Sequence, residues 1–194
     1  MNAPDDPLTR FADVFARAAR NPPFDHTAAT LATATAQGVP SVRTVLVRGM
    51  DAAGFAFFTN YESRKGRELT ANPVAALCFY WPWIDEQVLA EGRVTRLEAA
   101  ESDAYFAGRP RGSQIGAWVS RQSEPLGSRE ELEARWREQE REFEGREVPR
   151  PPNWGGFRLA PSRVEFWRAG AFRLHDRELY SRVDGRWTVT RLYP

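Results

Sequence analysis

From Leu8 onward the apolar positions recur every three to four residues. Leu8, Phe11, Val14, Phe15 and Ala18 fall on one face, which predicts an amphipathic helix over about residues 7–20. Asp6 stands at the N-cap position, and Pro7 suits the first helical residue. The period then shortens to two. "AATLATATA", "SVRTVLVRG", "GFAFFTN", "VAALCFYW" and "QVLAEGRVTRL" are short, rich in β-branched and aromatic residues, and divided by turn signals such as "QGVP" and "DAAG", so they predict strands. "ESRKGRELTANP" interrupts them with a short helical pattern ended by Asn72 and Pro73, and "EAAESDAYFAG" follows as another helix. In "GSREELEARWREQEREFEG", Ser128 stands three residues before Glu131 as in a capping box. Its narrow Leu132, Trp136 and Phe143 stripe predicts a largely solvated helix lying on the barrel. "RVEFWRAGAFRLHDRELYSRVDGRWTVTRL" reads as successive strands, with Asp184-Gly185 as a hairpin turn. The expectation is a mainly β fold with flanking helices, a small antiparallel barrel in a single domain over residues 1–194.

Composition narrows the function. Lys and Arg number 27 against 26 Asp and Glu, a net charge of +1, so no basic surplus exists to displace counterions and no nucleic-acid partner is expected. Cys78 is the only cysteine and lies in an apolar run, which predicts a buried structural thiol in a reducing compartment. His26 and His175 are the only histidines, too few with one cysteine for a usual structural zinc site, and no metal is expected. The first residues carry no basic-then-apolar leader pattern, and no apolar run is long enough to cross a bilayer. A cytoplasmic protein without a membrane partner is the expectation.

Any preference for anions must therefore be local. On a regular strand Arg43 points with Val45 and Val47, whereas Arg48 points the other way with Val42 and Leu46. Either one of the two is merely exposed, or they address two anions. Ser63, Arg64 and Lys65 sit at a helix start, where free N–H groups and the dipole attract phosphate; simple exposure of the basic residues is the equal alternative. Read as a strand, "FRLHDREL" projects Arg173, His175 and Arg177 from one face. They would repel one another unless something anionic or aromatic faces them, the alternative being an exposed charged face. "RPRGSQIGAWVSRQS", residues 109–123, holds three arginines and three serines without an acid. Pro110 biases Arg109 to an extended conformation, and Gly112 is expected to turn the backbone before Ser113 in a loop that cradles an oxyanion. Gln122 and Ser123 follow as donors to a second ligand. No "GxSxG" elbow, Walker loop or "GxGxxG" fingerprint is present. Anion-binding groups without acid–base machinery point to a protein that binds phosphorylated ligands and leaves the hard chemistry to a cofactor.

"RTVLVR", "FFTNYESRKGREL", "RPRGSQIGAWVSRQS", "WGGFRL", "VEFW", "RLHDR" and "RLYP" together resemble the pyridoxine/pyridoxamine 5′-phosphate oxidases, in the same order and from about Asp6 to the C-terminus. The resemblance implies an FMN-binding split β-barrel (Greek-key, antiparallel) that forms a homodimer through C-terminal strands at about 157–194, with flavin mononucleotide (FMN) at the subunit interface. It implies that Arg43, Arg64, Lys65 and Ser123 clamp the FMN phosphate and ribityl chain. Thr44, Val45, Leu46, Val47, Phe58, Thr59, Gln87, Gln122, Trp167 and Arg177 would complete the flavin pocket. Arg48, Tyr105, Arg109 and Ser113 would hold the substrate phosphate, and Arg173 and His175 would cover the substrate's ring as the catalytic pair. Arg173 would also stabilise charge developing on the substrate. The implied reaction oxidises the 4′ carbon of pyridoxine 5′-phosphate or pyridoxamine 5′-phosphate to pyridoxal 5′-phosphate, with dioxygen as final acceptor and hydrogen peroxide as product. Two positions depart from the family pattern: Arg48 stands where Lys is usual, and Phe58 where Tyr is common. The rival readings are a flavin oxidase of phenazine biosynthesis and a non-catalytic carrier of FMN or pyridoxal phosphate.

Overall fold

Asp6 begins the first helix as its residue type requires. Its carboxylate accepts from the N–H groups of Leu8 and Thr9 at 3.2 and 3.1 Å, and α1 runs Pro7–Ala18. A computed structural model describes residues 6–194; residues 1–5, the start of the segment read above as free of a leader pattern, lie outside the described residues. The apolar face of α1 is buried, and Phe11 meets Phe55 and Phe79 edge-on at 4.8 and 4.9 Å between ring centroids. Replacing Asp6 by Ala should cost about 1 kcal/mol and lower the melting temperature by about 2–4 °C. An unchanged melt would show that the cap contributes nothing to the fold.

The strands are β1 (Ala28–Ala34), β2 (Pro40–Asp51), β3 (Gly54–Asn60), β4 (Val74–Trp81), β5 (Glu86–Arg96), β6 (Trp154–Arg168), β7 (Asp176–Val183) and β8 (Arg186–Arg191). All pair antiparallel in the order β3-β2-β1-β4-β5-β6-β7-β8, and a further β3–β6 pairing closes the first six into a barrel. β6 makes both closure and extension possible. Its first residues pair with β3, its last with β7, and β5 runs alongside. The β7–β8 hairpin thus continues the sheet outside the barrel. Asp184 and Gly185 join its strands with φ of 49° and 79°, the primed turn that a twisted two-residue hairpin needs. Leu31, Phe55, Phe57, Leu77, Phe79, Val88, Leu159 and Val164 fill the barrel.

The helices are α2 (Arg64–Ala71), α3 (Ala99–Ala107), α4 (Arg111–Val119) and α5 (Arg129–Glu142). Four expectations need correction. "RGSQIGAWV" is helix α4, not a loop: burial of Gln114, Ile115, Ala117 and Val119 outweighs the weak helix propensity of Gly112, which sits in the first turn. α5 lies against α4 and not on the barrel. Leu132 and Trp136 join Phe106, Ile115, Phe143 and Trp154 in a separate apolar cluster, and the Trp136 indole N–H donates to the Gly112 carbonyl. Cys78 is half-buried, because β4 turns Leu77, Phe79 and Trp81 inward and Cys78 outward. Finally, Arg173 and His175 are not on a strand. Residues 171–173 form a tight turn with φ of 56° at Phe172 and 64° at Arg173, and β7 starts only at Asp176. Arg173, His175 and Arg177 therefore do not share one strand face.

Among the described residues no helix is long and apolar enough to cross a membrane, and no group of His, Cys, Asp and Glu is arranged to hold a metal ion.

Candidate functional site

A cleft of about 590 Å³ opens where β2, β3, α2, α3 and α4 meet. It collects Thr44, Val45, Leu46 and Arg48 from β2, Phe58 and Thr59 from β3, Lys65 from α2, and Tyr105 from α3. Arg109 and Ser113 enter from the start of α4, and Gln122 from the turn beyond it. Strand parity explains the split on β2: Val45 and Val47 point inward and are buried, whereas Thr44, Leu46 and Arg48 are exposed on the outer face. Val47 belongs to the core and not to the cleft.

Two cations in this cleft lack a carboxylate partner among the described residues. Lys65 is 8 % exposed, and its Nζ donates to Gln122 Oε1 at 2.8 Å, to Thr59 Oγ1 at 3.2 Å and to Ser63 Oγ at 3.5 Å, all neutral. Burial, and next the positive charge of Arg43, pull its pKa down to about 8. Arg109 lies with its guanidinium carbon 4.6 Å from the Trp154 ring centroid, and its buried Nη1 has no hydrogen-bond partner. Burial lowers its pKa as well. Beside it Phe58 and Tyr105 stack at 3.8 Å with rings 8° from parallel, and Trp154 lies 5.7 Å from Phe58 in nearly the same orientation. Arg48 differs, since its Nη2 pairs with Asp25 at 3.3 Å on the surface.

Arg43, Arg64 and Ser123 do not line the cleft itself but adjoin its Lys65 side. Ser63 caps α2 by accepting from the Gly66 N–H, and the Arg64 N–H donates to Ser123 Oγ at 3.2 Å. Glu68 joins Arg43 and Arg64, so these two arginines are not free of acid.

The remaining expected residues gather elsewhere on the chain. Gln87, Trp167 and Arg177 stand side by side on β5, β6 and β7, because the register pairs Gln87 with Trp167 and Trp167 with Arg177. Trp167, His175 and Arg177 line a second cleft of about 430 Å³ against α1, where Arg177 is held by Glu165 at 2.7 Å. The Gly170 N–H donates to His175 Nδ1 at 3.2 Å, so neutral His175 carries its proton on Nε2 and presents a donor. Gly170 is required there, because a Cβ would lie 1.9 Å from the Leu174 carbonyl oxygen. Arg173 lines neither cleft, and its neighbour Phe172 is 94 % exposed.

Trp154, Asn60 and Glu68 are site neighbours that pattern reading missed. Trp154 supports Arg109, and Asn60 Nδ2 donates to the Ser120 carbonyl, tying β3 to the end of α4. Glu68, four residues after Arg64 on a helix, carries the one signal available in advance, an i,i+4 ion pair.

The donor set suits a ligand with an anionic end and a flat ring: a buried lysine and a half-buried arginine without counter-ions among the described residues, neutral amide and hydroxyl groups, and parallel aromatic rings. A family model described as pyridoxamine 5′-phosphate oxidase matches residues 16–140, and one described as the pyridoxine 5′-phosphate oxidase C-terminal dimerisation region matches residues 154–194. The chain is 61% identical over 193 residues to the pyridoxine/pyridoxamine 5′-phosphate oxidase of Anaeromyxobacter dehalogenans, covering 100% of this chain and 98% of that protein. It is 56% identical over 191 residues to the protein of that name from Myxococcus xanthus, covering 98% and 93%. Among solved structures, PhzG from Burkholderia lata in complex with tetrahydrophenazine-1-carboxylic acid superposes with a TM-score of 0.95 at 36% identity, over 100% of this chain and 95% of that one. A pyridoxamine 5′-phosphate oxidase-related, FMN-binding protein from Nostoc punctiforme shares the fold at a TM-score of 0.73 and 20% identity, over 100% of both chains.

Proposed function

The chain belongs to the pyridoxamine 5′-phosphate oxidase family, and from that premise we propose that it is an FMN-dependent oxidase. Its substrates are pyridoxine 5′-phosphate and pyridoxamine 5′-phosphate, its product is pyridoxal 5′-phosphate, and dioxygen is the final acceptor. One observation carries this reading: a single cleft holds two cations, the buried Lys65 and the half-buried Arg109 with its buried Nη1, that no carboxylate among the described residues neutralises. Such charges are costly unless an anion arrives, and two separate positions suit two phosphates.

Lys65, Arg43, Arg64 and Ser123 would hold the cofactor phosphate, with Thr59 and Gln122 beside them. Arg48, Tyr105, Arg109 and Ser113 would hold the substrate phosphate, Ser113 through its hydroxyl from the first turn of α4, its own N–H being given to the Pro110 carbonyl. When bound, FMN supplies the acceptor for two electrons and their onward transfer to dioxygen, giving hydrogen peroxide. The protein's part is positioning: two anchored phosphates fix the substrate carbon relative to the flavin. Gln87, Trp167, His175 and Arg177 lie in or beside a different cleft of the same chain. We assign their role to a homodimer in which the second cleft of one subunit completes the first cleft of its partner, with Arg173 brought to the substrate in the same way. His175 would then donate from Nε2 and not act as a base.

The likeness to PhzG supports a second reading, oxidation of a phenazine-type carboxylic acid. The test is anaerobic titration of the yellow protein. Pyridoxamine 5′-phosphate or pyridoxine 5′-phosphate should bleach it, and air should restore the colour with release of hydrogen peroxide. Bleaching only by a reduced phenazine carboxylic acid would favour the second reading, and no bleaching by any of them would leave a carrier.

A further inference from the structure

We propose that Glu68 is a positioning residue for the cofactor phosphate, holding the Arg43 and Arg64 guanidinium groups as a preset pair beside Lys65. This rests on the FMN reading above. The carboxylate is 5 % exposed and belongs to neither cleft. A carboxylate so buried is tolerated only when donors surround it, and here they come from three elements. Thr33 on β1 donates to Oε2, Ser41 on β2 donates to Oε2 at 2.6 Å, and Arg64 on α2 donates through Nε to Oε1 at 2.8 Å. Arg43 approaches Oε2 at 3.4 Å.

The two hydroxyls explain why the acid is needed. Each has one proton, and each commits it to Glu68, which turns its lone pairs outward. Arg43 then donates through Nη1 to Thr33 and through Nη2 to Ser41. Antiparallel pairing of Thr33 with Ser41 places both hydroxyls at one register position, and Arg43, two residues beyond Ser41, shares their face. Without the carboxylate the hydroxyls are free to rotate, and of the guanidinium's partners only the Leu31 carbonyl, accepting from Nη1 at 3.3 Å, stays fixed. Arg64 is engaged through Nε, and neither of its terminal nitrogens has another protein partner among the described residues. Burial alone would raise the pKa of Glu68, yet the Ser41, Thr33 and Arg64 hydrogen bonds and the Arg64 charge bring it to about 2. The acid is therefore ionised throughout the neutral range. Three cations against one carboxylate leave two net positive charges, which match the charge of about −2 on a phosphate monoester.

The experiment compares the affinity of the apoprotein for FMN and for riboflavin, which lacks the phosphate, by quenching of flavin fluorescence. Glu68→Gln should weaken FMN binding about tenfold and leave riboflavin within about twofold of wild type. Ser41→Ala, which keeps the carboxylate but removes one hydroxyl relay, should weaken FMN about threefold with riboflavin again unaffected. Tighter FMN binding by Glu68→Gln would show an acid that merely opposes the phosphate, and equal losses for both flavins would show general support of the fold. Either result overturns the proposal. If Glu68→Gln does not fold, Ser41→Ala decides, and an unchanged FMN-to-riboflavin ratio rejects it. A wild-type chain that binds neither flavin would instead sink the FMN reading itself.

Discussion

Replacing Arg109 by Met is expected to raise the KM for pyridoxamine 5′-phosphate about 100-fold while leaving bound FMN unchanged. The guanidinium is seated on Trp154, and among the described residues its buried Nη1 has no hydrogen-bond partner and no carboxylate pairs with it. Arginine cannot relieve that cost by deprotonating, so the ligand-free protein carries it in full. An arriving phosphate removes the cost and gains charge-assisted hydrogen bonds worth about 1.5–3 kcal/mol each, and two at the lower value account for the predicted factor. Met keeps an apolar contact with Trp154 and removes the charge together with its N–H donors. The apoprotein's melting temperature should therefore not fall, which separates lost recognition from lost folding. Arg109→Lys should lie between the two, because an ammonium restores the charge without the fork. Steady-state kinetics and thermal melts check this together. An unchanged KM would place the substrate phosphate elsewhere.

The barrel was legible because its strands alternate cleanly. In β4 every inward position is apolar, and in β2 the change of face between Arg43 and Arg48 follows from counting by two. The cap at Asp6 and the turn at Asp184-Gly185 were legible for the same reason, since each depends on residues close in sequence. Helix α4 was not, because Pro110 and Gly112 signal a break locally while the burial that favours a helix is tertiary. The turn at Phe172 and Arg173 was hidden more deeply: positive φ at residues other than glycine leaves no mark on a hydrophobic pattern. Barrel closure through β3 and β6 joins segments about a hundred residues apart, beyond the reach of any local rule. For the candidate site, motif resemblance nominated residues but gave no sign of their partition into two clefts. Nor did it signal that Glu68 and Glu165 already hold three of the nominated arginines, Arg43, Arg64 and Arg177. In the first cleft the cations left without acid among the described residues are Lys65 and Arg109, and they carry the functional argument better.

The affinity of the apoprotein for FMN is expected to fall by up to tenfold for each pH unit above about 8. Burial, and then the charge of Arg43, hold the Lys65 pKa at about 8, against 10.5 for a free lysine. Thr59, Ser63 and Gln122 offer only neutral acceptors, and no carboxylate among the described residues pairs with the ammonium to cancel this shift. A bound phosphate favours the ammonium and raises its pKa. Binding above pH 8 must then take up a proton, and affinity declines as protons become scarce. The stability of the apoprotein moves the other way. Between pH 8 and 10.5 the unfolded chain keeps Lys65 charged while the folded chain has released the proton. The unfolded state binds more protons, so Lys65 contributes rising stability with pH across that window and full destabilisation below it. The phosphate's own second ionisation, near pH 6, sets the lower limb, leaving an affinity maximum between roughly pH 6.5 and 8. Lys65→Met should flatten the upper limb and weaken binding at pH 7. Titrations of wild type and variant from pH 6 to 9.5, with melts of the apoprotein alongside, distinguish this from general alkaline loss. General loss would lower stability and affinity together, whereas a buried lysine awaiting an anion drives them in opposite directions.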